Sequence, residues 1–294
     1  MRVVVAGSSG LIGTALVAKL RHDGDEVLRL VRREPQAPDE RRWDPPSGTL
    51  QEGTLDGVDA VVNLCGAGVA DRRWTQARKQ MLLDSRVEPT EVLAAAVAEA
   101  GVPVLLNGSA VGYYGTIPAG PADEDEPAGR GFLAELCVRW EAATAAAAAA
   151  GARVVLARTA QVLSPSGGLL GPLRPLFSLG LGGKLGSGRQ YLPWIHLDDE
   201  VDALVFLLRE DISGPVNLVG PSPATNAEFT RAFGRARNRP ALFRVPKVAL
   251  QVALGEFAEE ILRSQHVVPR VLQDHGFAFR HDTVDDALAA LEQR

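Results

Sequence analysis

Residues 1–33, MRVVVAGSSGLIGTALVAKLRHDGDEVLRLVRR, indicate the fold class of this chain. They predict a strand, a glycine turn, a helix and a second strand. The four pieces are the β-branched run 3–5, the turn at Gly7, Gly10 and Gly13, the helical pattern of Leu16, Val17 and Leu20 up to Gly24, and the apolar run 27–31. This order places the unpaired N–H groups of a helix at the carboxyl end of the first strand, an arrangement that binds the pyrophosphate of a dinucleotide.

The three glycines of the turn have separate physical tasks. Gly7 lets the chain leave the strand sharply, Gly10 removes a Cβ that would block a phosphate, and Gly13 lets the helix pack close to the sheet. Ser9 can add a hydroxyl donor. The spacing G-x-x-G-x-x-G differs from the usual G-x-G-x-x-G, but a strand and a helix flank it as a dinucleotide site requires.

The end of the second predicted strand indicates which dinucleotide is bound. An NAD site usually has Asp or Glu there to hold the ribose hydroxyls. This chain has Arg32 and Arg33 instead, and a guanidinium pairs bidentately with a 2′-phosphate. We therefore expect NADP rather than NAD, the alternative being a solvated basic loop.

The composition is typical of a soluble globular protein. The chain has 294 residues, 46% of them hydrophobic, and its net charge of −5 gives no reason to expect nucleic acid as a partner. Cys65 and Cys137 lie in apolar segments, which is typical of reduced thiols. No signal peptide and no run of membrane-spanning length is present. We expect a cytoplasmic protein without a membrane partner.

Strands and helices continue to alternate beyond the first unit. The further predicted strands are 60–64, 102–107 (followed by Ser109), 154–158 and 216–219, and the long predicted helices are 75–100 and 131–150. This alternation predicts an α/β fold with a doubly wound parallel sheet, whose ligands lie beyond the carboxyl ends of the strands.

The pattern also divides the chain into parts. Residues 1–163 are predicted to form the NADP-binding Rossmann domain, to which 190–220 return with a strand and a helix of the main sheet. Residues 164–189 are rich in glycine and proline, and they predict a mobile lid with glycine hinges over the nicotinamide end. Residues 221–294 are predicted to form a smaller, mostly helical substrate lobe.

The whole chain resembles the extended and atypical short-chain dehydrogenase/reductase superfamily, within its NAD(P)-dependent epimerase/dehydratase group. The resemblance is carried by GSSGLIGTAL, RRWT, SAVGYYG, WEAA, GLGGKLGSGRQYLPWIH, ATNAEF and RPALFRVP. These segments are similar to those of an uncharacterised epimerase-family subgroup with a distinctive C-terminal domain. Some members of that subgroup are labelled cell-division inhibitors.

The resemblance implies which residues contact the cofactor. Position by position, they are Gly7, Gly10, Leu11, Ile12 and Gly13 in the turn, Val31 and Arg32 after the second strand, Leu64 and Cys65 after the strand 60–64, Arg86 on the next helix, and Val162. Ser9 and Arg33 join this set on the physical grounds given above.

The catalytic pair of the superfamily is missing. Members that transfer hydride normally carry Tyr-x-x-x-Lys, in which the Tyr is the acid or base and the Lys lowers its pKa. Counting back from Glu141 places Cys137 at the Lys position and Leu133 at the Tyr position. Residues 131–150 contain neither Tyr nor Lys, so no shift of register restores the pair.

Three other residues are candidates for the reaction centre. Ser109 ends a strand where superfamily members place a Ser or Thr that binds substrate, and Tyr113 and Tyr114 follow it. Either tyrosine could donate a proton near the nicotinamide. The alternative is that the tyrosines pack the loop.

Several weaker candidates each have a structural alternative. Glu135 and His196 could act as acid or base, and the segment 72–74, Arg-Arg-Trp, could bind an anionic or planar substrate. No two histidines have the i+3 or i+4 spacing of metal ligands, so we expect no metal site.

These observations support one leading hypothesis and two alternatives. The leading one is an NADP(H)-binding oxidoreductase of the atypical short-chain type that acts on an unknown small molecule, with a homodimer as one expected assembly. A non-catalytic NADP(H) sensor or partner-binding module would explain the missing catalytic pair. A nucleotide-sugar epimerase or dehydratase is the weakest hypothesis, because such enzymes rely on that pair.

Overall fold

A computed structural model describes residues 1–117 and 120–292. The strands are β1 (Arg2–Ala6), β2 (Glu26–Val31), β3 (Glu40–Asp44), β4 (Thr49–Leu50), β5 (Ala60–Asn63), β6 (Val104–Ala110), β7 (Arg153–Thr159), β8 (Gln161–Ser164), β9 (Gly167–Gly168), β10 (Gly183–Leu185), β11 (Trp194–His196), β12 (Gly214–Leu218) and β13 (Phe243–Val245).

The α-helices follow the same chain order. They are α1 (Leu11–His22), α2 (Gln76–Ala100), α3 (Phe132–Ala142), α4 (Ala145–Ala149), α5 (Leu170–Ser178), α6 (Leu197–Arg209), α7 (Asn226–Ala236), α8 (Lys247–Leu254), α9 (Phe257–Ile261), α10 (Arg270–Asp274) and α11 (Val284–Glu292). No helix in the described part of the chain is long and apolar enough to cross a membrane.

The main sheet has eight strands in the order β12-β7-β6-β5-β1-β2-β3-β4, and all its pairings are parallel except that of β3 with β4. Because β1 lies between β2 and β5, the strand order reverses beside it, and ligands of such sheets bind at this switch point. Side chains of α1 and α6 cover one face, and those of α2 and α4 cover the other. The predicted doubly wound α/β fold is thereby confirmed.

Two predicted elements differ from the structure. The helix predicted over 131–150 is broken between α3 and α4, where the Thr144 hydroxyl donates to the Glu141 carbonyl at 2.8 Å and competes with the helical pattern. The strand predicted before α6 exists as β11, but it pairs with β8 in a separate three-stranded sheet and not with the main sheet. Within 190–220, the elements that return to the main sheet are α6, which packs on one of its faces, and β12, which pairs with β7.

The strands β3 and β4 were not expected from the sequence. Residues 40–44, Glu-Arg-Arg-Trp-Asp, lack the apolar alternation that predicts a strand. They form one because Trp43 is buried on the sheet, while Glu40 is held by Arg29 of β2 and by Arg33 just after it. Ion pairs with residues outside β3 thus stabilise a strand that the local sequence does not predict.

The segment predicted as a lid has an apolar core. Leu170 and Phe177 of α5 are buried against Phe229 and Phe233 of α7 and against Leu288 of α11. The segment also contributes β10, which pairs with β13. The residues 164–189 are therefore attached to the C-terminal helices, and their opening stays a prediction.

Glu200 is a buried carboxyl group on α6, beneath the carboxyl end of β7. The Thr159 hydroxyl donates to its Oε1 at 2.8 Å, and no described residue hydrogen-bonds its Oε2. Burial disfavours the ionised form and raises the pKa of Glu200 to about 8. The side chain is therefore protonated in the folded protein at neutral pH.

Replacing Glu200 with Gln should remove a pH dependence of folding. The carboxyl ionises with a pKa near 4.5 in the unfolded chain and about 8 in the folded protein. Between those values the unfolded state binds fewer protons, so stability falls by about 1.4 kcal/mol per pH unit as pH rises. Urea unfolding across this window should show that the Glu200→Gln variant lacks this loss.

The matched control is Glu210→Gln, which changes an exposed carboxyl just beyond α6. This variant should keep the wild-type dependence on pH. A Glu200→Gln variant whose stability still follows the wild-type curve would contradict the assignment.

Candidate functional site

The glycine turn brings three backbone segments together at the carboxyl edge of the sheet. Gly7 has a φ of +78°, and a Cβ there would lie 2.6 Å from the carbonyl oxygen of Leu64. A Cβ on Gly13 would lie 2.2 Å from the carbonyl oxygen of Gly7. The Gly10 N–H closes the turn by donating to that same oxygen at 3.0 Å. No side chain fits at either end of the turn.

Helix α1 begins in this turn and leaves its positive end open. Gly10 is the N-cap, no side chain accepts a hydrogen bond at the helix start, and the first turn contains no acidic residue. Ser9 is exposed beside it, and Leu11 and Ile12 are half-buried. Unpaired N–H groups beside a backbone without Cβ atoms form a cradle for an anionic group.

Arg32 and Arg33 differ in their contacts. Arg33 donates from Nη1 and Nη2 to both carboxylate oxygens of Glu40, at 2.7 Å each. Arg32 is exposed after β2 and makes no hydrogen bond or ion pair with any described residue. Glu40 thus already holds Arg33, whereas Arg32, which follows the half-buried Val31, is available to an anion, and contact of either arginine with the cofactor stays a prediction.

The carboxylates near these arginines stay ionised. The hydrogen bonds from Arg33 hold the pKa of Glu40 at about 2, and those from Arg29 hold the pKa of Asp39 at about 2. Sequence reasoning did not include either acid, although Glu40 lies seven positions from Arg33 and Asp39 lies ten positions from Arg29. The two carboxylates neutralise the charges of Arg29 and Arg33, whereas the charge of Arg32 is not neutralised.

Leu64 and Cys65 form the wall opposite the glycine turn. Leu64 donates its N–H to the Ala6 oxygen at 3.0 Å, which extends the β1–β5 pairing. Burial raises the pKa of the Cys65 thiol to about 12, a rise that the nearby charge of Arg32 partly opposes. Cys65 is therefore a neutral thiol at the carboxyl end of β5.

Arg86 fixes the backbone of Gly66 and Ala67, which follow Cys65. Its Nη2 donates to the Ala67 carbonyl at 3.0 Å, and its guanidinium lies 5.2 Å from the ring centroid of Trp140. A Cβ on Gly66 would lie 2.9 Å from the Arg86 Cζ. Burial lowers the pKa of this guanidinium, although it stays a cation.

A buried polar cluster fixes the ends of β5 and β6 and was missed from the sequence. The Asn63 amide donates to Thr90 Oγ1 at 2.9 Å and to Asn107 Oδ1 at 2.8 Å. The Trp140 indole donates to the same Thr90 oxygen at 3.1 Å. The sequence feature that could have predicted this cluster is the pair of asparagines near the ends of two neighbouring apolar strands.

The positions of the missing catalytic pair face the carboxyl end of β6. A Cβ on Gly112 would lie 3.3 Å from the Leu133 Cβ and 3.8 Å from the Cys137 Sγ. Cys137 is buried, its thiol donates to the Ala110 carbonyl at 3.6 Å, and burial raises its pKa to about 12. Neither side chain can donate a proton at neutral pH or carry a positive charge.

Ser109 belongs to a buried ion-pair network. Its hydroxyl donates to Glu141 Oε1 at 2.6 Å, and Arg158 donates to both Glu141 oxygens at 2.9 Å. All three side chains are almost fully buried. The geometry favours a structural role for Ser109, and its catalytic role stays a prediction.

Both tyrosine rings lie beside the Arg158 guanidinium and contact each other edge to face, with their ring centroids 5.3 Å apart. Tyr114 is buried, donates its hydroxyl to Asn217 Oδ1 at 2.7 Å and accepts from Arg158 at 2.9 Å, and burial raises its pKa to about 12. Tyr113 is half-buried, and the Arg158 Cζ lies 3.5 Å from its ring centroid. The Tyr113 hydroxyl has no hydrogen bond to a described residue.

The first turn of the predicted lid lies over the glycine turn. A Cβ on Gly168 would lie 2.5 Å from the Val162 carbonyl oxygen and 3.4 Å from Leu11. Val162 itself is buried in the core beside α1. Val162 and Leu11, separated by about half of the chain, are thus brought to one place.

The weaker candidates have structural partners. His196 accepts the Asp198 N–H at 3.0 Å and caps α6. Arg73 donates to the carbonyl oxygens of Val252 and Ala253, and Trp74 packs on the rings of Phe132 and Phe257, so this loop is attached to α8 and α9. Glu135 is exposed on α3.

One group of residues brings three potential metal ligands together. Atoms of His196, Asp198 and His281 lie within 4.8 Å of one another. However, the His196 Nδ1 already accepts a backbone N–H, and the group lies at the positive N-terminus of α6, which disfavours a cation. We therefore assign no metal to it.

Two family models match this chain. Residues 3–220 match the NAD dependent epimerase/dehydratase family, and residues 245–291 match a domain of unknown function, DUF1731. A similar sequence, the epimerase family protein Mb2239 of Mycobacterium bovis, is 58% identical over 97% of this chain and 96% of its own length.

Solved structures of relatives have the same architecture. Human epimerase family protein SDR39U1, crystallised with NADPH, matches with a TM-score of 0.91 and 34% identity, over 100% of this chain and 99% of that one. A nucleoside-diphosphate sugar epimerase from Corynebacterium glutamicum matches with a TM-score of 0.82 and 37% identity, over 100% of this chain but only 58% of that one.

Replacing Arg158 with Met should strongly destabilise the fold. The substitution leaves the buried Glu141 carboxylate without its partner, which costs about 3–5 kcal/mol. Urea unfolding measures this loss, and Arg139→Met on the exposed face of α3 is the control, expected within about 0.5 kcal/mol of wild type. A loss below about 1 kcal/mol for Arg158→Met would show that the pair does not hold the tyrosine turn.

Proposed function

We propose that this chain, which belongs to the NAD dependent epimerase/dehydratase family, is an NADP(H)-dependent oxidoreductase that acts on an unidentified small molecule. The observation that carries the proposal is the free guanidinium of Arg32 beside the uncapped start of α1. Two anion sites, one for a pyrophosphate and one for a 2′-phosphate, then lie at one edge of the sheet.

The donor set fits this cofactor. The backbone segments around Gly7, Gly10 and Gly13 approach so closely that a Cβ atom on Gly7 or Gly13 would collide with them. The N–H groups beyond Gly10 would hold the pyrophosphate. Arg32 would hold the 2′-phosphate, since Glu40 occupies Arg33. Human SDR39U1, the relative crystallised with NADPH, supports the same choice of dinucleotide.

Tyr113 is the residue that we assign to proton transfer. The bound cofactor supplies or accepts a hydride, so a carbonyl or alcohol substrate also needs a proton donor or acceptor. Ser109 and Tyr114 have their hydroxyls engaged by Glu141 and Asn217, whereas Tyr113 packs on the cluster that contains Leu133. Arg158 fixes the Tyr113 ring from one face and leaves its hydroxyl available.

A non-catalytic NADP(H) sensor or partner-binding module is the second candidate. Leu133 and Cys137, which stand where the acid and its cation would be, favour it. Such a protein would bind the cofactor tightly without turnover. A nucleotide-sugar epimerase is less well supported, because the same two positions lack the catalytic groups.

Arg32→Ala should remove most of the preference for NADPH over NADH. Loss of one charge-assisted contact to the 2′-phosphate costs about 1.5–3 kcal/mol, or roughly 10- to 150-fold in NADPH affinity, and leaves NADH affinity nearly unchanged. Calorimetric titration of both dinucleotides measures the two constants. Arg33→Ala is the matched control and should alter the preference much less. Equal affinity of the wild type for both dinucleotides would refute the cofactor assignment.

Tyr113→Phe should abolish turnover without unfolding the protein. The proton donor is worth roughly 10²- to 10⁴-fold in rate. NADPH oxidation with a panel of aldehydes, ketones and quinones measures this effect. Tyr114→Phe is the comparison variant, and it should lower stability while its rate stays close to wild type.

The outcomes separate the two candidate functions. Turnover lost in Tyr113→Phe and kept in Tyr114→Phe supports the oxidoreductase. Tight NADPH binding with no oxidation by any member of the panel favours the sensor instead.

A further inference from the structure

The exposed apolar side chains of this protein are concentrated in one region. Ten large hydrophobic residues of the described chain are exposed, and seven of them lie within residues 176–181 and 242–252. Leu242 is 87% exposed and Leu179 is 74% exposed, so these side chains protrude and do not line a cleft. Scattered apolar residues need no explanation, but a concentration of this kind marks an interaction surface.

The two segments are adjacent in the fold. β10 and β13 pair in parallel, the Phe243 N–H donates to the Gly182 carbonyl at 3.3 Å, and the Arg239 Nε donates to the Ser178 carbonyl at 3.1 Å. Together they form a surface that we call the basic apolar patch. Its members are Leu179, Leu181, Leu242 and Phe243; Val248 and Val252 are also exposed on α8, which follows β13 along the chain.

This patch is positively charged although the protein is acidic. Residues 229–255 contain six basic residues and no acidic one, in a chain of net charge −5. Two of the six, Arg235 and Arg237, pair with Asp285 and Glu292 of α11. Arg239 and Arg244 are held by the backbone carbonyls of Ser178 and Gly186, and neither they nor Lys247 pairs with a described carboxylate. Their positive charges are therefore not neutralised within the described chain.

We infer that the basic apolar patch docks the protein on the surface of an anionic lipid bilayer. Protruding leucine and phenylalanine side chains beside unpaired cations match the interfacial region of such a membrane, which takes apolar groups below a layer of negative headgroups. A peripheral contact needs no spanning helix, so it is compatible with the helices found here, and it replaces the sequence-based expectation of no membrane partner.

The charges argue against a second copy as the occupant. A two-fold interface uses the same patch on both subunits, so Arg239, Arg244 and Lys247 of both copies would be brought into one interface. Like charges facing each other in an interface are unfavourable. An anionic bilayer instead offers the opposite charge over the whole patch.

Co-sedimentation with vesicles tests the inference on the full chain. Binding should be detected with phosphatidylcholine vesicles that contain phosphatidylglycerol, should be weak with phosphatidylcholine alone, and should fall at high salt. Leu242→Ser/Phe243→Ser should abolish most of it. Arg239→Gln/Arg244→Gln should weaken it by about fivefold for each cation removed.

The matched control is Val138→Ser/Arg139→Gln, which removes an exposed apolar residue and a neighbouring exposed cation on α3. This variant should bind vesicles like the wild type, and thermal unfolding shows whether each variant is folded. Equal binding of neutral and anionic vesicles, or no binding, would overturn the inference. A dimer in solution that the Leu242→Ser/Phe243→Ser variant dissociates would also overturn it, because the patch would then bind a second copy of the chain.

Discussion

The close approach of Gly7 to the Leu64 carbonyl is the contact that holds the site together. It draws the end of β5 against the end of β1, and Gly13 then lets α1 start directly above that junction. A side chain at either glycine would push the helix away from the sheet edge. The turn thereby places open N–H groups, the switch point and Arg32 within one region, and the neighbouring walls follow from it.

Ion pairs decide which of the nearby groups remain available to a ligand. Glu40 and Asp39 neutralise Arg33 and Arg29 and leave Arg32, while Glu141 holds Arg158 beneath the tyrosine turn. In both places a carboxylate fixes one arginine in an ion pair, and a neighbouring side chain, Arg32 or Tyr113, remains available to a ligand. Tyr113 and Tyr114 differ in the same way, because the Tyr114 hydroxyl is hydrogen-bonded to both Asn217 and Arg158.

The sequence predicted those features that depend on neighbours along the chain. The βαβ unit, the glycine turn and the alternating strands could be inferred from local pattern and spacing, whereas the resemblance to the superfamily implied that Leu133 and Cys137 stand at the positions of the catalytic pair. The partners of Arg33 and Tyr114 could not, because they depend on distant residues such as Asn217, 103 positions from Tyr114. The strand β3 was missed for the same reason, since Arg29 of β2 and Arg33 beyond it compensate for the charge of Glu40.

The proposed function requires that the glycine turn and Arg32 together bind NADP(H). A crystal structure of the protein with NADPH would show whether they do. We predict that the pyrophosphate lies against the N–H groups that follow Gly10, that the 2′-phosphate lies within hydrogen-bond distance of the Arg32 guanidinium, and that Arg33 remains on Glu40. A 2′-phosphate bound by Arg33, or a pyrophosphate away from the start of α1, would contradict this assignment.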